Sequence, residues 1–139
     1  MKNILIIGCG LLGSSLLRRI KKKGLAKKIY IYEKSKVNIS KIKKLKLPGT
    51  IIDKLQDGVT NSDLIILCTP MSEYKNLILK MNKFLSQKTI ITDIGSSKIE
   101  SSKVIKKFLR KNIFWTSSHP IAGSEVSGPE HGKHDLFEN

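Results

Sequence analysis

Short apolar segments alternate with longer amphipathic segments along this chain, and that order constrains the fold more than any other feature of the sequence. The short segments are predicted strands, at 3–8, 28–32, 49–52, 63–68, 89–95 and 113–118. The longer segments are predicted helices, at 11–24, 37–47, 72–85 and 98–110, with Ser72 as a candidate N-cap. Strands that are apolar throughout are covered on both faces. We therefore predict an α/β fold, a doubly wound parallel sheet with helices on each side.

The composition is typical of one folded domain without a membrane anchor. The 139 residues are 40% hydrophobic and 27% charged. No apolar run approaches the roughly 20 residues that cross a bilayer, and no signal-peptide cleavage pattern follows the start. We therefore expect a cytoplasmic protein with no membrane partner. Its two cysteines, Cys9 and Cys68, are expected to be buried thiols, with a regulatory disulfide as the lesser alternative.

The formal net charge of +15 raises the alternative of a nucleic-acid partner. Half of the 26 Lys and Arg residues lie between Arg18 and Lys46, and most of them are lysines suited to solvated helix faces. Aromatic residues make up 6% of the chain and do not interleave with the basic residues, as they do on surfaces that stack with bases. We therefore predict no nucleic-acid partner.

A glycine motif joins the first predicted strand to the first predicted helix. It is the run GCGLLG, a G-x-G-x-x-G in the setting that dinucleotide binding requires. The first glycine permits the tight turn, the second lets a pyrophosphate approach the backbone, and the third lets helix and strand pack closely. The cofactor-binding residues predicted here are Gly8, Gly10, Leu11, Leu12 and Gly13.

The residues after the second predicted strand bear on which dinucleotide is bound. Glu33 stands about 20 positions beyond the motif, where an acid accepts hydrogen bonds from the adenosine ribose and repels a 2′-phosphate. Lys34, Ser35 and Lys36 follow it and would suit a 2′-phosphate if Glu33 swung aside. NAD is the predicted cofactor, and NADP is the alternative.

Further polar groups follow the later strands, whose carboxyl ends meet at one edge of the sheet. Thr69 and Pro70 end the fourth strand and are expected to lie over the ribose or pyrophosphate of the cofactor. Ser96 and Ser97 follow the fifth strand, and this stretch alone favours a helix N-cap at one of them.

The tail after the last strand is polar and glycine-rich, which suits the lining of a pocket better than a core. His119 precedes a proline that restricts the backbone, and its imidazole is suited to take a proton near neutral pH. Ser124 and Glu125 follow on a turn. His131 and His134 form an H-x-x-H without a closed ligand set, so we predict no metal site.

Together these stretches resemble one family, the prephenate and arogenate dehydrogenases of tyrosine biosynthesis. The resemblance is carried by GCGLLGSSL, DLIILCTP, TDIGSSK and SSHPIAGSEVSGPEHGKHDLF, in that order over nearly the whole chain. It implies a Rossmann-type domain and hydride transfer to NAD(P) from prephenate, giving 4-hydroxyphenylpyruvate and carbon dioxide, or from arogenate, giving tyrosine. By resemblance, His119 is the catalytic base and Ser96 orients that histidine or the substrate hydroxyl. Ser124 and Glu125 match positions near the substrate side chain.

The chain departs from this family in one respect. Family members continue into a helical domain that makes the dimer and supplies cationic groups for the substrate carboxylates. Residues 1–139 therefore resemble the nucleotide-binding domain, with about one strand still to come, and a homodimer is expected only with the helical domain. The last arginine, Arg110, is expected far from the tail. A catalytically inactive dinucleotide-binding module is the alternative, and the sequence does not distinguish prephenate from arogenate.

Overall fold

The computed structural model describes residues 3–120, 122 and 125–138 of the chain. Within these residues, six parallel strands form a sheet in the order β3-β2-β1-β4-β5-β6. The strands are β1 (Asn3–Ile7), β2 (Lys28–Tyr32), β3 (Thr50–Ile51), β4 (Leu64–Leu67), β5 (Ile90–Asp93) and β6 (Phe114–Ser117). The α-helices of this part are α1 (Leu11–Lys22), α2 (Lys36–Lys44), α3 (Leu55–Thr60), α4 (Tyr74–Met81) and α5 (Lys98–Phe108). Short 3₁₀ helices lie at Met71–Glu73, Asn82–Phe84 and Pro129–His131.

Alternate side chains of β1 enter two apolar cores, one on each face of the sheet. Leu5 and Ile7 lie in the core that is completed by α3, α4 and α5. Ile4 and Ile6 lie in the core that is completed by α1 and α2. All four side chains are at most 3% exposed, and each contributes about 1.5–3 kcal/mol by burial. This two-sided burial accounts for the lack of polar alternation in the strand sequences, and the predicted fold class is confirmed.

The strand order reverses beside β1, and this reversal places the site. Ile6 of β1 pairs with Ile31 of β2 on one side and with Ile66 of β4 on the other. The connection from β1 to β2 passes through α1 on one face, and the connection from β4 to β5 passes through α4 on the opposite face. The loops after β1 and β4 therefore diverge. In sheets of this kind, ligands bind in the crevice that such diverging loops open at the carboxyl ends of the strands.

Two helical segments differ from the prediction. The short helix α3 is absent from the prediction because its apolar side chains, Leu55 and Val59, are too few to show a helical period. The segment predicted as one helix over 72–85 is divided, since 3₁₀ turns flank α4 on both sides. Glu73 precedes α4 as its N-cap, so the prediction of Ser72 at that position is wrong.

Residues 125–138, here called the C-terminal segment, pack against α1 and α2. Both terminal nitrogens of Arg18 on α1 donate to the carbonyl oxygen of Pro129, at 3.1 Å each. The ammonium of Lys41 on α2 lies 2.5 Å from the Glu130 carboxylate. These contacts hold the segment against α1 and α2.

The described residues contain neither a helix long and apolar enough to cross a membrane nor a cluster of three or more His, Cys, Asp and Glu able to hold a metal. His131 ends the 3₁₀ helix of the C-terminal segment, with its Nε2 3.8 Å from Oε1 of Glu130. His134 lies in the turn that follows. Both histidines of the H-x-x-H pattern thus belong to the C-terminal segment, which packs on α1.

Candidate functional site

The glycine motif forms a tight loop between β1 and α1 that leaves no room for side chains at two of its three glycines. Gly8 has a φ of +87°, and a Cβ there would lie 2.8 Å from Cγ2 of Thr69 and 2.9 Å from the carbonyl oxygen of Cys68. A Cβ on Gly13 would collide with the carbonyl oxygen of Gly8. Both glycines are therefore required by the protein itself, for the turn and for the close packing of helix on strand.

Gly10 is different, because a Cβ at this position would meet no protein atom within 4 Å. It is the N-cap of α1, with no side-chain cap and no acidic residue in the first turn of the helix. The first backbone N–H groups of a helix lack partners within it and favour an anion at that end. The space over Gly10 is thus of the kind that a pyrophosphate fills.

The carboxylate of Glu33 is held between the glycine loop and the start of α2. Its Oε2 accepts hydrogen bonds from the backbone N–H of Cys9 at 2.8 Å and from Nδ2 of Asn38 at 3.4 Å. Its Oε1 accepts one from the backbone N–H of Ser35 at 2.9 Å. A carboxylate has about four acceptor positions, so one remains for a hydroxyl donor. Glu33 therefore has a fixed orientation and capacity for one further hydrogen bond.

Two neighbouring cavities open at the carboxyl ends of β1 and β4. The larger, of about 600 Å³, is lined by Gly10, Leu11, Leu12, Asn38, Lys41, Cys68, Thr69, Pro70, Met71, Ile94, Gly95, Ser96, Val126, Ser127 and Gly128. The smaller, of about 280 Å³, is lined by Ile7, Gly8, Tyr32, Glu33, Lys34, Ser35, Thr69, Pro70, Glu73 and Leu77. Thr69 and Pro70 line both cavities, and Oγ1 of Thr69 is buried without a hydrogen-bond partner. All the predicted cofactor residues except Gly13 thus line one or both of two adjoining cavities, and the Thr69 hydroxyl that lacks a partner belongs to both linings.

The loop that carries Ser96 is anchored by a buried carboxylate. Asp93, at the end of β5, is fully buried, and its Oδ2 accepts from the backbone N–H of Gly95 at 3.1 Å and from the Tyr74 hydroxyl at 3.3 Å. Burial, together with the nearby Asp93 charge, raises the pKa of Tyr74, so this hydroxyl stays a donor. Ser97 is the N-cap of α5 without a side-chain cap bond, whereas Ser96 is exposed and lines the larger cavity.

His119 lies at the same edge of the sheet, one residue beyond a firm attachment to β5. Ser118 bonds the carbonyl oxygen of Asp93 through its backbone N–H at 3.0 Å and through its hydroxyl at 2.9 Å. The ammonium of Lys98 donates to the carbonyl oxygen of Ser118 and lies 4.0 Å from the Asp93 carboxylate. His119 is exposed and is not among the residues that line the larger cavity.

The C-terminal segment contributes a wall of the larger cavity, as the polar and glycine-rich composition of the tail suggested, but through residues that the sequence analysis did not single out. Val126, Ser127 and Gly128 line it, because the packing of the segment on α1 carries them over the glycine loop. Glu125 is exposed and is not part of the lining, and Ser124 lies outside the described residues. The composition of the tail suggested a pocket lining, but it did not indicate which of its residues reach the cavity.

The two cysteines are free thiols in the structure. Burial, with a smaller effect of the Glu33 charge, raises the pKa of Cys9 to about 12. Burial also raises the pKa of Cys68. Thiolates react and thiols do not, so these environments disfavour the oxidation that a regulatory disulfide requires.

Comparison with known proteins places the sequence in one family. The model for "Prephenate dehydrogenase, nucleotide-binding domain" matches residues 16–139. The chain is 35% identical over 138 residues to the cyclohexadienyl dehydrogenase of Zymomonas mobilis subsp. mobilis, covering 99% of this chain and 47% of that protein. It is also 35% identical to the prephenate dehydrogenase of Lactococcus lactis subsp. cremoris, covering 100% of this chain and 39% of that protein. The chain thus spans about half or less of the length of these relatives.

The fold is also similar to that of a solved prephenate dehydrogenase. The crystal structure of prephenate dehydrogenase from A. aeolicus, in complex with hydroxyphenyl propionate and NAD+, matches with a TM-score of 0.82 at 28% identity. The match covers 100% of this chain and 48% of that chain.

Proposed function

Since the chain belongs to the family of prephenate dehydrogenase nucleotide-binding domains, we propose that it binds NAD and provides the cofactor site for the oxidative decarboxylation of prephenate or arogenate. The observation that carries the proposal is the region formed by the glycine loop, Glu33 and Thr69. There the space over the Gly10 backbone is empty of protein atoms, and the buried Thr69 hydroxyl has no hydrogen-bond partner. A bound dinucleotide would fill the space and supply the partner.

The residues fit the parts of NAD in order along this region. The pyrophosphate would lie at the amino end of α1, over Gly10, where it meets unpaired N–H groups and no acidic side chain. The adenosine ribose would donate to the free acceptor position of Glu33, and adenine would enter the smaller cavity. The nicotinamide end would then extend into the larger cavity towards Ser96. NAD in this position supplies the hydride acceptor for the reaction.

His119 would take the proton of the ring hydroxyl while the hydride leaves the same carbon. Its imidazole is exposed at the sheet edge, and its backbone is fixed by the bonds of Ser118 to Asp93. Ser96, presented by the loop that Asp93 anchors, would orient the hydroxyl or the imidazole. Ser124 and Glu125 would lie near the substrate side chain. Loss of carbon dioxide then makes the ring aromatic, which supplies the driving force, so the residues need only position and deprotonate the substrate.

The substrate carboxylates need cations, and the three arginines of the chain are already engaged. Arg18 binds the carbonyl oxygen of Pro129, and Arg19 pairs with Glu138. Arg110 donates to the backbone carbonyls of Asn82 and Leu85, at the 3₁₀ helix that follows α4. This engagement favours a second candidate function, a module that binds NAD without turning over substrate.

One experiment separates these two functions and tests the assigned base. The chain is mixed with NAD and with prephenate or arogenate, and NADH formation is followed for the wild type, His119→Ala and the control His131→Ala. Loss of a positioned general base costs roughly 10²–10⁴-fold in kcat, whereas His131→Ala should leave the rate unchanged. Full activity in His119→Ala would rule out the assigned base. NAD binding by the wild type without turnover of either substrate would favour the binding module over an enzyme that is active by itself.

A further inference from the structure

An ion pair spans the smaller cavity between the two loops that form it. The ammonium of Lys34, the residue after Glu33, lies 2.6 Å from Oε2 of Glu73 at the end of the first 3₁₀ helix. Both residues line the cavity. Their side chains are 49% and 40% exposed, so the pair lies at the cavity mouth in contact with water. The hydrogen bond between them raises the pKa of Lys34 and lowers that of Glu73, so both are charged at neutral pH.

The charges around this cavity are unfavourable for a 2′-phosphate. Glu33 and Glu73 are the carboxylates of the lining, and Lys34 is its cation. A phosphate group adds about two negative charges at neutral pH. It would lie beside the Glu33 carboxylate, since the ribose hydroxyls are held there. An enzyme that accepts NADP needs a free cation at this position, and the best-placed cation is held by Glu73.

We propose that Glu73 sets the preference for NAD over NADP by holding the Lys34 side chain away from the 2′ position of the adenosine ribose. The inference rests on the proposed binding of a dinucleotide in this cavity. It identifies Glu73 as a specificity determinant. Glu73 lies 40 positions beyond Glu33, in the segment that follows β4 rather than β2. Lys34 is thus not a free phosphate ligand, which the sequence analysis had left open as the alternative.

The test compares NAD+ and NADP+ binding by titration calorimetry for the wild type, Glu73→Gln, Lys34→Ala and the double variant. Glu73→Gln keeps the shape of the side chain and releases Lys34 to bond the 2′-phosphate. We expect affinity for NADP+ to rise about tenfold relative to affinity for NAD+, the size of one charge-assisted hydrogen bond in a half-exposed position, because NAD+ carries no 2′-phosphate for Lys34 to bind. The gain should shrink as salt is added, because the new contact is ionic.

Two further variants identify the cause of the change. In Glu73→Gln combined with Lys34→Ala, the gain for NADP+ should disappear, because the released cation is absent. The control Asp53→Asn removes the same charge from an exposed residue outside both cavities, and it should leave the preference unchanged. Thermal melting of each variant verifies folding.

The outcomes are distinguishable. An unchanged ratio of NAD+ to NADP+ affinity in folded Glu73→Gln would overturn the inference. A gain that persists in the double variant would also overturn it, because Glu73 would then act by its own repulsion rather than through Lys34. A wild-type chain that binds neither nucleotide would contradict the proposed function itself, which is a different result from either of these.

Discussion

Replacing Gly10 by alanine should weaken NAD binding by roughly a hundredfold or more without unfolding the chain. The structure separates these two effects, because a Cβ at Gly10 meets no protein atom within 4 Å and the residue has a φ of −77°, which alanine adopts. The free energy of unfolding should therefore change by less than about 1 kcal/mol. The added methyl would instead occupy the space over the first turn of α1, where the pyrophosphate would lie.

The loss of affinity follows from the contacts that the methyl group prevents. Two backbone N–H bonds to a charged phosphate contribute about 1.5–3 kcal/mol each, so losing them weakens NAD binding by roughly a hundredfold or more. The assay is a calorimetric titration with NAD+, paired with a thermal melt of the same sample.

Gly24→Ala is the matched control. Gly24 also has open space around its Cβ position, but its φ is +61°, so alanine there should cost about 1–2 kcal/mol of stability while NAD+ affinity stays unchanged. A folded Gly10→Ala chain that binds NAD+ as tightly as the wild type would refute the assignment of the pyrophosphate to this loop.

Two predictions concern stability. Tyr74→Phe removes the hydroxyl that donates to fully buried Asp93, so it should destabilise the chain by about 1–3 kcal/mol in urea unfolding at neutral pH; an unchanged midpoint would show that the 3.3 Å bond contributes nothing. The pKa of Cys9 is raised by burial from its ordinary value of 9.0 to about 12, so the unfolded chain loses this proton first and the free energy of unfolding should fall as pH rises from about 9 to 12. The fall is about 1.4 kcal/mol per pH unit for one such group, and Cys68 and Tyr74 act in the same direction. Cys9→Ala should make the dependence shallower, and an equal slope in both proteins would contradict this account.

The order of strands and helices was accessible from the sequence because each central strand of the sheet is buried on both faces. The runs around Leu5 and Ile65 are apolar without alternation, and short runs of this kind between turn residues are typical of buried parallel strands. The glycine motif and Glu33 were accessible because they are close in sequence to the strands that position them. Helix α3 could not be predicted in this way, since Leu55 and Val59 are its main apolar side chains and two such residues are too few to show a helical period.

Contacts between residues that are distant in sequence could not be predicted from the sequence pattern. The lining by Val126 depends on Arg18 binding the carbonyl oxygen of Pro129, a contact across 111 positions. The pairing of Lys34 with Glu73 crosses 39 positions and changes what the lysine can do. The roles of such residues can be identified only from the three-dimensional structure, because their charge and local sequence pattern alone predict exposed side chains without partners.

The most direct test of the central claim is an NMR titration of the chain with NAD+, with amide signals followed residue by residue. We expect saturable binding of one NAD+ per chain. The largest shifts should occur at Gly10, Glu33, Thr69 and Ser96, which surround the two cavities. Absence of saturable binding, or shifts concentrated at the opposite edge of the sheet around Lys28 and Thr50, would contradict it.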